Sequence, residues 1–339
     1  MQLIRLAVAS APAVLGDHVR KPRDGVPLAV SIRAMDTELY VSTLALPVRH
    51  PFDWAEIAGF LAPRCIPGVE AVDGLVYRRT ILVEGHHGTI ELGPSDSRPA
   101  DGLAVRVRHP DPTVGALIST RLVRQFDLMT DIDAIALQFG RDRLLAPLVA
   151  QRPGLRVPGA WDPFELAIRA ILGQQVSVAA ATTLAGRLAQ AYGEPLRLDD
   201  GLPPPPGLTQ VFPSPPALIA ADPGVLRIPT KRAETIAAFA RAVVATPALL
   251  AGGVPLEELV ERLDALPGIG PWTAHYIAMR ALREPDAFPT GDLGLRKAMA
   301  TADGLPSFKE MDRRAEAWRP WRAYAALHLW MSLGGGTGG

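Results

Sequence analysis

Three side chains in the last quarter of the chain have types and spacing that could do chemistry: Trp272, Tyr276 and Asp292. Trp272 and Tyr276 lie one helical turn apart and share a face. Spacing alone fits a core contact or a surface on which a flat ligand stacks. Asp292 follows FPTG and precedes the apolar pattern LGLRKAMA, so it falls at the N-cap of a helix over 293–300. It either caps and nothing more, or serves as a fixed anion, held by amides and the dipole, beside which positive charge is stabilised.

Just upstream, LPGIGPWTAHY (266–276) leaves only PGIG between two helical patterns. Gly268 and Gly270 permit positive φ and close backbone approach, while Ile269 between them packs down. Pro271 suits a first helical position, where its missing N–H costs nothing. The amides of Gly268, Gly270 and the first turn, Thr273 included, then face outward at a positive dipole end. That geometry is a phosphate site or a bare αα-hairpin.

These residues need a frame, and the pattern supplies two parts. From Leu44 to Asp127 strand and helix alternate. FDWAEIAGFLAPR (52–64) has helical spacing, and LVYRRTILVEG (75–85), GTIELG (88–93) and GLAVRVRH (102–109) read as strands. In the last of these, Leu103, Val105 and Val107 alternate with Ala104, Arg106 and Arg108 as a half-buried strand. TVGALISTRLVRQF (113–126) returns over the sheet as a helix. A small α+β domain is therefore expected over 35–128.

From 129 to 333 the expectation is an all-helical domain without strands. Helices are read at 161–175, 175–193, 230–245, 255–266, 271–283, 293–300 and 311–333, with a proline-run surface loop at 202–208. Residues 1–34 are expected to be a poorly structured extension, with Met35 as an alternative start, and 334–339 a flexible tail. The opening MQLIRLAVASAPAVLG resembles a secretory signal only weakly, its apolar part being interrupted.

Net formal charge is zero over 339 residues, so a nucleic-acid partner would need a local patch. Cys65 is the only cysteine, which excludes an internal disulfide and a cluster held by four thiolates. A cytoplasmic protein is expected. Adjacent His86 and His87 point to opposite faces of a strand, so no metal site is expected there.

The string L-P-G-I-G-P-W-T-A resembles the signature of helix–hairpin–helix DNA glycosylases. WDPFELAIRAILGQQVSVAAA (161–181), PTKRAETI (229–236), FPTGDLGLRK (288–297) and WRPWRAYAALHLW (318–330) resemble the alkylation-repair branch, the 3-methyladenine DNA glycosylase II type. HPFDWAEIAGFL resembles that branch's N-terminal domain. The likeness runs from about 43 to 333 and omits the proline run.

This resemblance implies excision of damaged bases from double-stranded DNA by a monomer without cofactor or catalytic metal, though a monovalent cation can sit at the hairpin carbonyls of relatives. It makes Asp292 the catalytic aspartate and places Trp272, Tyr276, Trp330 and Phe60 around the base. Gln174 and Gln175 fall at the gap-filling turn, where relatives can carry an apolar wedge. In the lyase branch a lysine stands at the position of Trp272; its absence here implies hydrolysis without a Schiff base. Of the cations between 292 and 322, most are expected to be a solvated face. The rival readings are a glycosylase for deaminated or oxidised bases and a catalytically idle DNA-binding module.

Overall fold

Five antiparallel strands, in the order β1-β5-β4-β3-β2, form the amino-terminal sheet. They are β1 (Val41–Leu46), β2 (Glu70–Asp73), β3 (Val76–Val83), β4 (His86–Pro94) and β5 (Leu103–Arg108), with α1 (Trp54–Leu61) and α2 (Gly115–Gln125) packed beside them. The structure, a computed structural model, describes residues 41–95 and 102–334; the expected extension and the tail beyond Gly334 lie outside these. Leu103, Val105 and Val107 turn inward as their alternation predicts. Arg108 does not turn out to solvent: it is buried, forking onto Asp200 at 2.8 and 2.7 Å and donating to the Pro203 carbonyl at 2.8 Å. The proline loop is thereby pinned to the sheet.

The rest is helical: α3 (Ile132–Phe139), α4 (Leu145–Gln151), α5 (Pro163–Leu172), α6 (Val178–Tyr192), α7 (Pro215–Leu218), α8 (Pro223–Leu226), α9 (Thr230–Ala245), α10 (Leu256–Asp264), α11 (Pro271–Arg280), α12 (Leu293–Ala298), α13 (Phe308–Ala315) and α14 (Arg322–Ser332). Side-chain oxygens of Asp162, Ser177, Asp292 and Ser307 cap α5, α6, α12 and α13. Each satisfies an amide that the first turn leaves without an intrahelical partner.

Three expectations change. A two-stranded ribbon, β6 (Glu194–Pro195) with β7 (Gln210–Val211), stands where no strand was expected, because the proline loop must close on itself. The helix expected over 311–333 is two helices, separated by a 3-10 turn at Glu316–Trp318 and by Pro320, which cannot continue one. Arg322, one of the cations of which most were expected on a solvated face, is buried against Asp286 at 2.8 and 2.9 Å.

One hydrophobic core runs through both parts. Fully buried Arg156 ties them by donating to the carbonyls of Asp127, Thr130 and Pro51, at 3.1, 2.7 and 2.8 Å. Among the described residues, no helix is long and apolar enough to cross a membrane.

Candidate active site

The hairpin between α10 and α11 is built around unequal glycines. Gly268 has φ +81°, and a Cβ there would fall 2.0 Å from Thr235 Oγ1 on α9. Packing and backbone both demand glycine at this position. Gly270 does not adopt the expected positive φ; its φ is −104°, and a Cβ there would meet nothing within 4 Å. Nothing inside the described chain requires its smallness, so the open space lies on the outer side. There α11 begins with no side-chain cap, and Ile269 is buried beneath the turn. Thr273 is buried too, and its amide, in the first turn, has no intrahelical acceptor.

The turn after α5 leans on this hairpin and separates the two glutamines. Gln174 Nε2 donates to the Gly268 carbonyl at 2.9 Å and to Thr273 Oγ1 at 3.0 Å. Its own carbonyl accepts from Arg232 at 2.6 Å. Gln174 is thus a brace rather than a free wedge. Gln175, with φ +58°, is exposed at the tip.

Asp292 caps α12, and its buried carboxylate receives three N–H donors. Oδ1 accepts from Leu295 N at 2.7 Å and from Trp330 Nε1 at 2.9 Å; Oδ2 accepts from Trp272 Nε1 at 3.2 Å. The Trp272 bond is the longest, and Trp272 is only half-buried.

Trp272 stacks on Tyr276 with ring centroids 5.3 Å apart at 19°, and Tyr276 meets Trp330 at 6.2 Å and 52°. A flat base between two faces needs about 7 Å, two contacts of ~3.5 Å. The Tyr276 and Trp330 rings must part to admit one. Phe60 sits behind this layer: Arg64 and Arg280 guanidiniums lie over its ring at 3.9 and 4.9 Å from the centroid. The face that sequence reasoning offered to a base is thus already covered by cations.

The cleft lined by Trp272 and Tyr276 is also lined by Arg64, Glu70, Arg79, Glu165, Arg169 and Arg280. Sequence reasoning missed this charged lining. Arg79 donates to Glu165 at 2.7 Å, and Arg169 to Glu70 at 3.0 Å. Burial would raise the Glu70 carboxyl, yet Arg169 and Arg79 outweigh it and hold it below its ordinary range. Glu165, where burial dominates its Arg79 pairing, is raised. Burial pushes the Arg64 guanidinium down to about 10. Arg280 carried a usable signal: it lies one turn beyond Tyr276 on the face already marked by Trp272 and Tyr276.

A sheet-backed helical body with a G-x-G hairpin beside an aromatic, carboxylate-bearing cleft defines a helix–hairpin–helix protein of the DNA-glycosylase fold. Residues 43–162 match the AlkA N-terminal domain, and residues 168–323 the HhH-GPD superfamily base excision DNA repair protein. The chain is 38% identical to DNA-3-methyladenine glycosylase 2 of Escherichia coli, over 84% of this chain and 95% of that one. It is 40% identical to a probable bifunctional transcriptional activator/DNA repair enzyme AlkA of Mycobacterium tuberculosis, over 94% of this chain. The chain spans 63% of the length of that Mycobacterium relative. A solved 3-methyladenine DNA glycosylase from Archaeoglobus fulgidus shares the fold at TM-score 0.71 and 23% identity, over 85% of this chain and 97% of that one. The chain belongs to the AlkA family of HhH-GPD base excision DNA repair proteins.

Proposed function

We propose that the protein is a monofunctional glycosylase that extrudes alkylated, cationic purines from double-stranded DNA and hydrolyses their N-glycosidic bond. The observation that carries this reading is the Asp292 carboxylate, held by three N–H donors next to an aromatic cleft and an uncapped helix start. The name of the Escherichia coli relative supports the substrate class.

Acting as a monomer in the cytoplasm, the protein grips a phosphate through the amides of Gly268, Gly270 and Thr273. Gln175 enters the gap left by the extruded nucleotide, whose removal from the stack costs a few kcal/mol. Ring faces of Trp272 and Tyr276 attract the cationic base by about 0.5–2 kcal/mol. As the C1′–N bond breaks, its electron pair leaves with the base, which departs neutral. Asp292 stabilises the positive charge growing on the sugar and orients the attacking water. The product is an abasic site in an unbroken strand, since no amine stands at position 272 to form a Schiff base. No step routes through a cofactor or metal, and a monovalent cation at the hairpin would only assist the phosphate grip.

Methylated duplex DNA tests the proposal. Release of free alkylpurine, with strands intact until alkali treatment, is expected. A protein that binds the duplex yet releases neither this base nor a deaminated or oxidised one would instead be a binding module.

A further inference from the structure

The start of α12 is closed by its own cap, but one side of the helix is open. Asp292 is buried, and the residues before and after it, Gly291 and Leu293, are exposed. Leu293 is 63% exposed, more than any other large apolar side chain described except Leu137. A single exposed leucine is ordinary; its place is what matters. A deoxyribose that presents C1′ to the Asp292 carboxylate must lie beside Gly291 and Leu293.

Lys297 follows one turn later on the same face, where side chains four residues apart are neighbours. It is exposed, and no described carboxylate pairs with its ammonium. Arg296, three residues after Leu293, is half-buried. Its Nε donates to the Pro306 carbonyl at 2.7 Å, and its guanidinium lies over the Phe308 ring at 5.3 Å from the centroid. It too has no acidic partner among the described residues. Two carboxylates of α13 are engaged elsewhere, Glu310 by Ser307 and Asp312 by Thr290. An apolar side chain followed one turn on by unpaired cations complements a nucleic-acid strand, whose apolar sugar faces alternate with phosphates.

We propose that this face of α12 is a second grip on the strand that carries the extruded nucleotide, with Leu293 against the deoxyribose at Asp292 and the Lys297 ammonium on a neighbouring phosphate. The inference rests on the part of the glycosylase reading that places a sugar at Asp292. Leu293 meets that sugar only once the nucleotide has left the stack, so its contribution belongs to the opened site. Lys297 meets the backbone whether or not a nucleotide is extruded. The hairpin grips through neutral amides, whereas each cationic contact adds to the salt dependence of binding. Leu293 and Lys297 touch no reacting atom and are positioning residues.

Two duplexes of one sequence test this by fluorescence anisotropy over a salt series, one undamaged and one carrying a tetrahydrofuran abasic-site analogue. Lys297→Gln should weaken binding of both about 3- to 10-fold at low salt and make log K against log salt shallower by about 0.9, one phosphate contact. Lys297→Arg should keep the slope. Leu293→Ala should lose about 10-fold on the analogue duplex, the scale of burying most of one leucine side chain, and less than about 2-fold on the undamaged one. Leu293→Met should keep most of the affinity. An unchanged slope in Lys297→Gln would overturn the proposal, as would equal losses on the two duplexes, or none, in Leu293→Ala. Binding needs no base release. A wild type for which these losses appear, yet which releases no alkylpurine from methylated duplex, overturns the glycosylase reading and leaves the grip standing; a wild type that binds neither duplex overturns both.

Discussion

Two helix starts flank the cleft, and they are finished in opposite ways. The start of α12 is closed by Asp292, which accepts the Leu295 amide and two indole N–H groups. The start of α11 carries no side-chain cap, and beside it Gly270 leaves space that no other described residue fills. Helix starts are ready anion sites because their first amides point outward with the positive dipole end. In α12 that capacity is used up internally to fix a carboxylate, which can then face a cation. In α11 it is kept for an external anion. One feature of helix chemistry therefore supplies both the sugar-facing charge and the phosphate grip, and the difference is one capping side chain.

The comparison can be broken most severely at Gly268. Gly268→Ala should destabilise by about 3 kcal/mol or more, since the new methyl meets Thr235 Oγ1 and the φ of +81° suits glycine. Denaturant unfolding measures this, and Thr235→Ala in the same chain should restore part of the loss.

Acid should attack the other start. His328 lies on α14, the helix that brings Trp330 to Asp292, and burial pushes its imidazole down to about 4. An unfolded histidine titrates near 6.5, so between these values the unfolded chain binds more protons and stability falls as pH falls. The loss is complete below about pH 4, approaches roughly 3 kcal/mol, and is absent above about 6.5. His328→Leu should flatten this part of a stability profile measured by thermal unfolding against pH.

A smaller effect is expected at Gly270. Gly270→Ala should change stability by less than about 0.5 kcal/mol, because the added methyl touches none of the described residues. Duplex affinity, measured by fluorescence anisotropy at fixed salt, should fall severalfold as the methyl intrudes on the phosphate.

Much of this pair of helix starts was legible in the sequence. The patterns for α9, α11 and α12 come from local periodicity and cap residues, and the four-residue turn follows from its glycines and proline. The difference between the two glycines was not legible, because it depends on Thr235 from α9, far along the chain. Strand β1 escaped notice for a similar reason: its inward Leu44 and Leu46 gain meaning only from pairing with β5. The buried arginines are the larger omission. Residue type argues for an exposed Arg79 or Arg156, and only partners from other segments, Glu165 for one and the carbonyls of Asp127, Thr130 and Pro51 for the other, make their burial possible. Phe60 was offered to the base by the family resemblance alone; Arg64 and Arg280 cover its ring in the fold.

The central claim is that the capped start does the chemistry and the open start does the gripping. Asp292→Asn tests it most directly, because asparagine caps a helix about as well as aspartate but carries no charge. Base release at saturating methylated duplex and duplex Kd should be measured for wild type and the variant together. The account predicts a fall on the order of 100-fold or more in release with Kd nearly unchanged. A folded variant that still releases base at the wild-type rate, or one that loses affinity instead of rate, would contradict it.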